Sequence, residues 1–189
     1  MLQIIQSTIL GIVQGLTEFI PVSSSGHLLL IPKVLNWSEQ SLAFDITLHL
    51  GTALALIVYF KNDFLKLIKS VLSDLLKYIN APKNNSVTIS KDSKLAYAIL
   101  LSTIPALSLG YLLNDPLENY FREIFWGVLF LVLGSILMFI AEVYYSNKNK
   151  KHNDIYEITF KNAFLIGLYQ CLALFSGFSR SGSTISGGM

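Results

Sequence analysis

Charge is scarce in this sequence. Asp, Glu, Lys and Arg make up 14% of its 189 residues, against roughly 25% in an ordinary soluble domain. So little charge cannot cover a surface in water. Cys171 is the only cysteine, which excludes a disulfide scaffold. No dense basic block exists and the formal net charge is only +2, so no nucleic-acid partner is expected. The first charged side chain is Glu18, so a positive n-region is lacking and no cleavable signal peptide is expected. What remains is apolar: 52% of residues are hydrophobic, and the mean hydropathy is +0.54. Disorder is excluded and the bilayer is the expected solvent. The expected fold class is an all-α polytopic membrane protein, one integral-membrane domain over residues 1–189, in contact with membrane lipids.

Leu95 to Leu113 and Ile124 to Ala141 carry no charge, and the second is extended to Val143 as a span. Each approaches the ~20 residues that cross about 30 Å of hydrocarbon. Ser41 to Phe60 is a third span, apolar except for Asp45 and His49. Pro105 is a candidate kink in the second span, which membranes tolerate. Lysine placement orients the three. Lys61 to Lys94 holds seven lysines and three aspartates, and Tyr144 to Lys161 holds four lysines. The link Asn114 to Glu123 has Arg122 against Asp115, Glu118 and Glu123. The positive-inside rule puts the two lysine-rich stretches in the cytoplasm, with Asn114–Glu123 and the lead-in at Asn36 outside. Between Phe64 and Ile79, Leu65, Ile68, Leu72, Leu75 and Ile79 form a stripe that Lys66, Lys69, Ser73 and Lys77 avoid. This predicts an amphipathic helix, lying on the cytoplasmic membrane face or packed on other protein. Lys83 to Lys91 reads as a polar, mobile loop.

Two apolar stretches are broken. Ile4 to Leu35 is interrupted by Pro21-Val22-Ser23-Ser24-Ser25-Gly26-His27, and the stretch from Thr159 by Ser176-Gly177-Phe178-Ser179-Arg180-Ser181-Gly182-Ser183. At an offset of 156, Gly11, Gln14, Leu16, Phe19, Ser23, Ser25 and Gly26 meet Gly167, Gln170, Leu172, Phe175, Ser179, Ser181 and Gly182. Seven identities in sixteen positions argue for an internal repeat. Three spans separate the copies, and an odd number inverts the second. Paired broken segments of this kind point to a site near the bilayer midplane. The expected architecture is an inverted-topology repeat of two re-entrant helical hairpins, 4–35 and 159–189, whose tips meet. A full span with a polar kink is the alternative for each. Repeat one covers 1–145 and repeat two starts at 159 with no spans after it, so C-terminal spans are expected to be missing.

Chemistry concentrates at the tips. Gln14 and Glu18 are one turn apart on a shared face. A carboxylate in an apolar helix costs roughly 2.5–3.5 kcal/mol or more, so Glu18 calls for a cation, a proton or a buried partner such as Arg180. His27 follows a run of hydroxyls; histidine serves as general acid–base near neutral pH. A nucleophilic hydroxyl such as Ser24 needs such a base. Arg180, between Ser179 and Ser181 and ahead of Ser183 and Thr184, together with helix N-terminal amides suits a phosphate. The combination suggests phosphoryl transfer in or near a membrane. Asp45 and His49, also one turn apart, read equally as a self-satisfying pair or as part of a site. Cys171 reads as a small apolar residue.

At these residues the sequence resembles the undecaprenyl-diphosphate phosphatase family, also called the bacitracin-resistance protein family. Its two signatures are similar to Gln14–Glu18 running into Pro21-Val22-Ser23-Ser24-Ser25-Gly26-His27, and to Gly177-Phe178-Ser179-Arg180-Ser181-Gly182. Phe44 to Thr52 is similar to the family's first-span pattern. Ser176 departs from the family's usual proline, and members run on beyond the position of Met189.

The resemblance implies hydrolysis of a polyprenyl diphosphate lipid to the monophosphate. That recycles a carrier for peptidoglycan synthesis in a bacterial inner membrane and gives bacitracin resistance. It implies a divalent cation, magnesium or calcium, held by Gln14 and Glu18. It places Glu18, Ser24, His27 and Arg180 in catalysis, with either Ser24 or His27 as nucleophile. Phosphate would be bound by Ser23, Ser25, Gly26, Ser179, Ser181, Gly182 and Thr184. The site is expected to face outward, where hairpin one enters. Oligomeric state stays open, a homo-oligomer included. A lipid transporter or flippase with broken-helix repeats, and an intramembrane serine hydrolase on Ser24 and His27, are the competing readings.

Overall fold

The structure, a computed structural model, describes residues 2–38, 40–80, 88–113, 117, 121, 123–147 and 154–189. Most of the loop Lys83–Lys91, most of the link Asn114–Glu123, and residues 148–153 lie outside the described residues. Among those described there are helices and turns and no strand. The helices are α1 Leu2–Thr17, α2 Ser24–Val34, α3 Leu42–Tyr59, α4 Lys61–Asn80, α5 Lys91–Leu112, α6 Ile124–Ser146, α7 Phe160–Gln170 and α8 Arg180–Gly188. Short 3₁₀ turns cover Ile155–Glu157 and Cys171–Leu174.

Three helices, α3, α5 and α6, are long and apolar enough to cross a membrane. They coincide with the three expected spans. The helix α5 starts a turn earlier than the charge-free window, because Ser90 caps it by accepting from the Ser93 amide and Asp92 sits in its first turn. It continues through Pro105 without a break.

The exposed surface is that of a membrane protein. Large apolar side chains point outward along every span, among them Leu50, Leu54, Leu107 and Phe139. The buried apolar residues are few and mostly small: Leu10, Leu28, Ala98, Ala106 and Ala163. Three of these are alanines of α5 and α7, which form the most extensive helix pair. Lipid supplies no hydrophobic drive between helices, so close approach of small residues takes over. Gly167 shows how close: a Cβ there would lie 2.4 Å from the Ser102 carbonyl oxygen.

The amphipathic helix forms as α4, and its contacts run the opposite way from a helix packed by its apolar stripe. Leu65, Ile68, Leu72, Leu75 and Ile79 are exposed. The polar side makes the attachment: Lys66 pairs with Asp92 at 2.9 Å, and Ser70 and Ser90 hydroxyls lie 2.6 Å apart. Buried Asp74 accepts from the Ser90 amide at 2.8 Å. The Ser90 amide first, then the Ser90 and Ser93 hydroxyls, hold the Asp74 carboxyl far below the usual carboxylate range. A depressed folded-state value means this attachment is fully present above the ordinary value and is lost as pH falls through the depressed one.

Candidate active site

The two broken segments build the same local device twice. Each chain break ends at a serine that caps the next helix. Ser23 accepts from the Gly26 amide at 3.2 Å, and Ser179 accepts from the Gly182 amide at 3.2 Å. Hydroxyls two residues apart then face each other, Ser23 and Ser25 at 3.4 Å, Ser179 and Ser181 at 3.1 Å. The tips touch: the Gly177 amide donates to Ser25 Oγ at 3.5 Å. Gly177, at φ +109°, lets the second tip lie against α6, where a Cβ would fall 2.2 Å from the Gly127 carbonyl oxygen. An aromatic cluster anchors the same tip, with Phe130 of α6 5.0 Å from Phe175 and 5.6 Å from Phe178 between ring centres.

Between the tips lies a cavity of about 100 Å³, room enough for water. It is lined by both breaks: Glu18, Ser24 and Ser25 from one, Ser179, Arg180 and Ser181 from the other. The helices α2 and α8 both begin there, so two helix N-termini with their partial positive charge adjoin one space. Glu18 Oε2 accepts from Ser24 Oγ at 2.5 Å and from Gln14 Nε2 at 3.0 Å. Gln14 is 1% exposed, and its Oε1 has no hydrogen-bond partner. His49 Nε2 stands 3.9 Å from Glu18 Oε2.

The expected site residues divide accordingly. Glu18, Ser23, Ser24, Ser25, Ser179, Arg180 and Ser181 line the cavity. Gly26 is buried beneath Leu131, and Gly182 borders a smaller space of about 20 Å³ beside Ser135. Thr184 donates to the carbonyls of Arg180 and Ser181. His27 is absent from the lining; its Nδ1 lies 2.8 Å from the Ser23 carbonyl oxygen. The residue that sequence reasoning left undecided, His49, is on the wall instead. The available signal was its one-turn spacing from Asp45, whose carbonyl oxygen lies 2.8 Å from His49 Nδ1.

The chain is 38% identical over its whole length to an undecaprenyl-diphosphatase 1 of Pseudoalteromonas translucida, covering 66% of that protein. It is 38% identical over its whole length to an undecaprenyl-diphosphatase of Trichlorobacter lovleyi, covering 65%. Over 98% of the chain it is 41% identical to one of Geotalea daltonii, covering 64%. The chain thus spans just under two thirds of the length of these curated relatives. With the family described as Bacitracin resistance protein BacA matching residues 7–189, this chain belongs to the bacitracin resistance protein family.

Proposed function

We propose that this chain carries the phosphoryl-transfer site of an undecaprenyl-diphosphate phosphatase, releasing undecaprenyl phosphate and inorganic phosphate. One observation carries the reading. A carboxylate with a hydrogen-bonded serine shares with an arginine the lining of a cavity where two helices begin. Helix N-termini and a guanidinium recognise a phosphate; the Ser–carboxylate pair supplies a nucleophile and a proton acceptor.

In the step this supports, Ser24 Oγ attacks the terminal phosphorus as its proton passes to Glu18. The bond from that phosphorus to the bridging oxygen breaks, and the lipid monophosphate leaves with the electron pair. Arg180 and the amides of α2 and α8 offset charge on the transferring group. Water then cleaves the phosphoserine, freeing inorganic phosphate and restoring the serine proton. His27 is kept as the alternative attacking group, and phosphoenzyme trapping in Ser24→Ala and His27→Ala decides between them.

A divalent cation belongs to the proposal. Among the described residues no three His, Cys, Asp or Glu converge, so a closed cage of such side chains is not offered. The residues fit the open kind of site, in which one or two carboxylates and the substrate's own phosphates hold magnesium. Glu18 supplies the carboxylate, and Gln14 Oε1 is a buried oxygen with no other partner. When bound, the cation would neutralise charge on the phosphates.

Location completes the reading: two re-entrant hairpins in a bacterial inner membrane, with the cavity opening outward on the Asn36 side. Phosphate release from a polyprenyl diphosphate in detergent, with and without EDTA, tests the activity. Release that needs metal is expected; transport without hydrolysis would overturn it. Single cysteines at Asn36, Asn80 and Asp154 in a Cys171→Ser background test the orientation in intact spheroplasts. Labelling by an impermeant reagent is expected at Asn36 alone, and labelling at Asn80 inverts the map.

A further inference from the structure

His49 is the one cavity-lining residue, among those described, that comes from outside the two hairpins 4–35 and 159–189. It stands on α3, a membrane-length helix. Its ring is fixed: Nδ1 lies 2.8 Å from the Asp45 carbonyl oxygen. A carbonyl only accepts, so Nδ1 carries the hydrogen and Nε2 is the atom turned to Glu18. At 3.9 Å from Oε2 the two are too far apart for a direct hydrogen bond and near enough to share one bridging donor, a water or a cation. Gln14 and Ser24 hold the same oxygen from α1 and α2. His49 approaches it from a third helix.

We propose that His49 is a positioning residue of this site, holding Glu18 against Ser24 through its Nε2; this rests on the phosphatase reading above. Glu18 follows the last turn of α1 and borders about 100 Å³ of open cavity. Without the nitrogen on the α3 side, its carboxylate is free to turn into that space and away from the serine. The loss falls on the chemical step, because His49 does not itself grip phosphate.

Three variants of the full chain separate the hydrogen-bonding atom from bulk: His49→Ala, His49→Phe, which keeps a ring, and His49→Gln, whose amide oxygen returns an acceptor at similar reach. Alanine and phenylalanine should lower kcat roughly 10- to 100-fold, the scale of a small misplacement at a reacting centre, with KM unchanged. Glutamine should recover most of the loss. Wild-type kcat in His49→Phe, or His49→Gln no better than His49→Phe, overturns the assignment. A second measurement does not need turnover. In ¹⁵N-histidine-labelled protein, His49 should show the Nδ1–H tautomer, and Glu18→Ala should move its Nε2 resonance. An unmoved resonance also overturns it. If wild type releases no phosphate, the phosphatase reading fails, while the nitrogen resonance still decides the contact.

Discussion

The two tips share a frame and differ in what they hang on it. In each, a serine caps the following helix at the same distance, and a second hydroxyl two residues on faces the first. The first helical residue after the cap then diverges. It is Ser24 in the first copy and Arg180 in the second. Glu18 of the first matches Leu174 of the second, and His27 matches Ser183. The first copy brings a carboxylate and a serine hydroxyl to the cavity, and the second brings an arginine. Repetition thus supplies two anion-friendly helix starts, and divergence makes them complementary. On the proposed mechanism, one copy alone would hold a phosphate or activate a hydroxyl, and the two together would do both.

The strongest way to break the comparison is to remove the divergent groups. Glu18→Ala and Arg180→Ala should each lower turnover at least ~10²-fold, as single losses at preorganised sites do. Arg180→Lys keeps the charge and loses the planar fork, so it should remain impaired. Phosphate-release kinetics check all three. Near-normal rates in both alanine variants would leave the two tips as scaffolding only.

A smaller effect separates the glycines that the repeat made identical. At Gly167 an added methyl meets the Ser102 carbonyl oxygen at 2.4 Å, whereas at Gly11 it meets only Leu48 Cδ2 at 3.7 Å. Gly167→Ala should destabilise by ~1–3 kcal/mol through overpacking of α5 on α7. Gly11→Ala should gain roughly 0.5–1 kcal/mol of helix preference. Equilibrium unfolding in detergent reads both, and equal effects would show that the α5–α7 approach is looser than described.

Much of this is legible in the sequence, and for local reasons. A bilayer-length apolar run is a property of consecutive residues, so α3, α5 and α6 appear where hydropathy places them. The repeat pairs Ser23 with Ser179 directly, and with them the caps. What escaped depends on how one helix is rotated against another. Two histidines lay near polar groups in the sequence, yet α3 brings His49 to the cavity while His27 is absent from its lining. The stripe of α4 is a local pattern too, but which side meets protein is decided by Lys66, Ser70 and Asp74 finding partners on and just ahead of α5. The chain's own apolar bias hides this, since in lipid a polar side makes the better contact.

The finest difference between the tips is in the backbone of the caps themselves. Ser179 is extended, at φ −77° and ψ 128°, as an N-cap ordinarily is. Ser23 sits at φ 63° and ψ 92°, a region that disfavours any residue with a Cβ. The second copy moves its positive φ to Gly177, where no Cβ resists it. Glycine at a cap costs only a few tenths of a kcal/mol relative to serine, and at position 23 it also relieves strain of order 1–3 kcal/mol. Ser23→Gly should therefore be neutral or stabilising, while Ser179→Gly should be slightly destabilising. Unfolding midpoints of the two variants, measured side by side, check the sign. If Ser23→Gly proves stabilising yet slows phosphate release, the strained serine is kept for the hydroxyl it holds beside Ser25 and not for the fold.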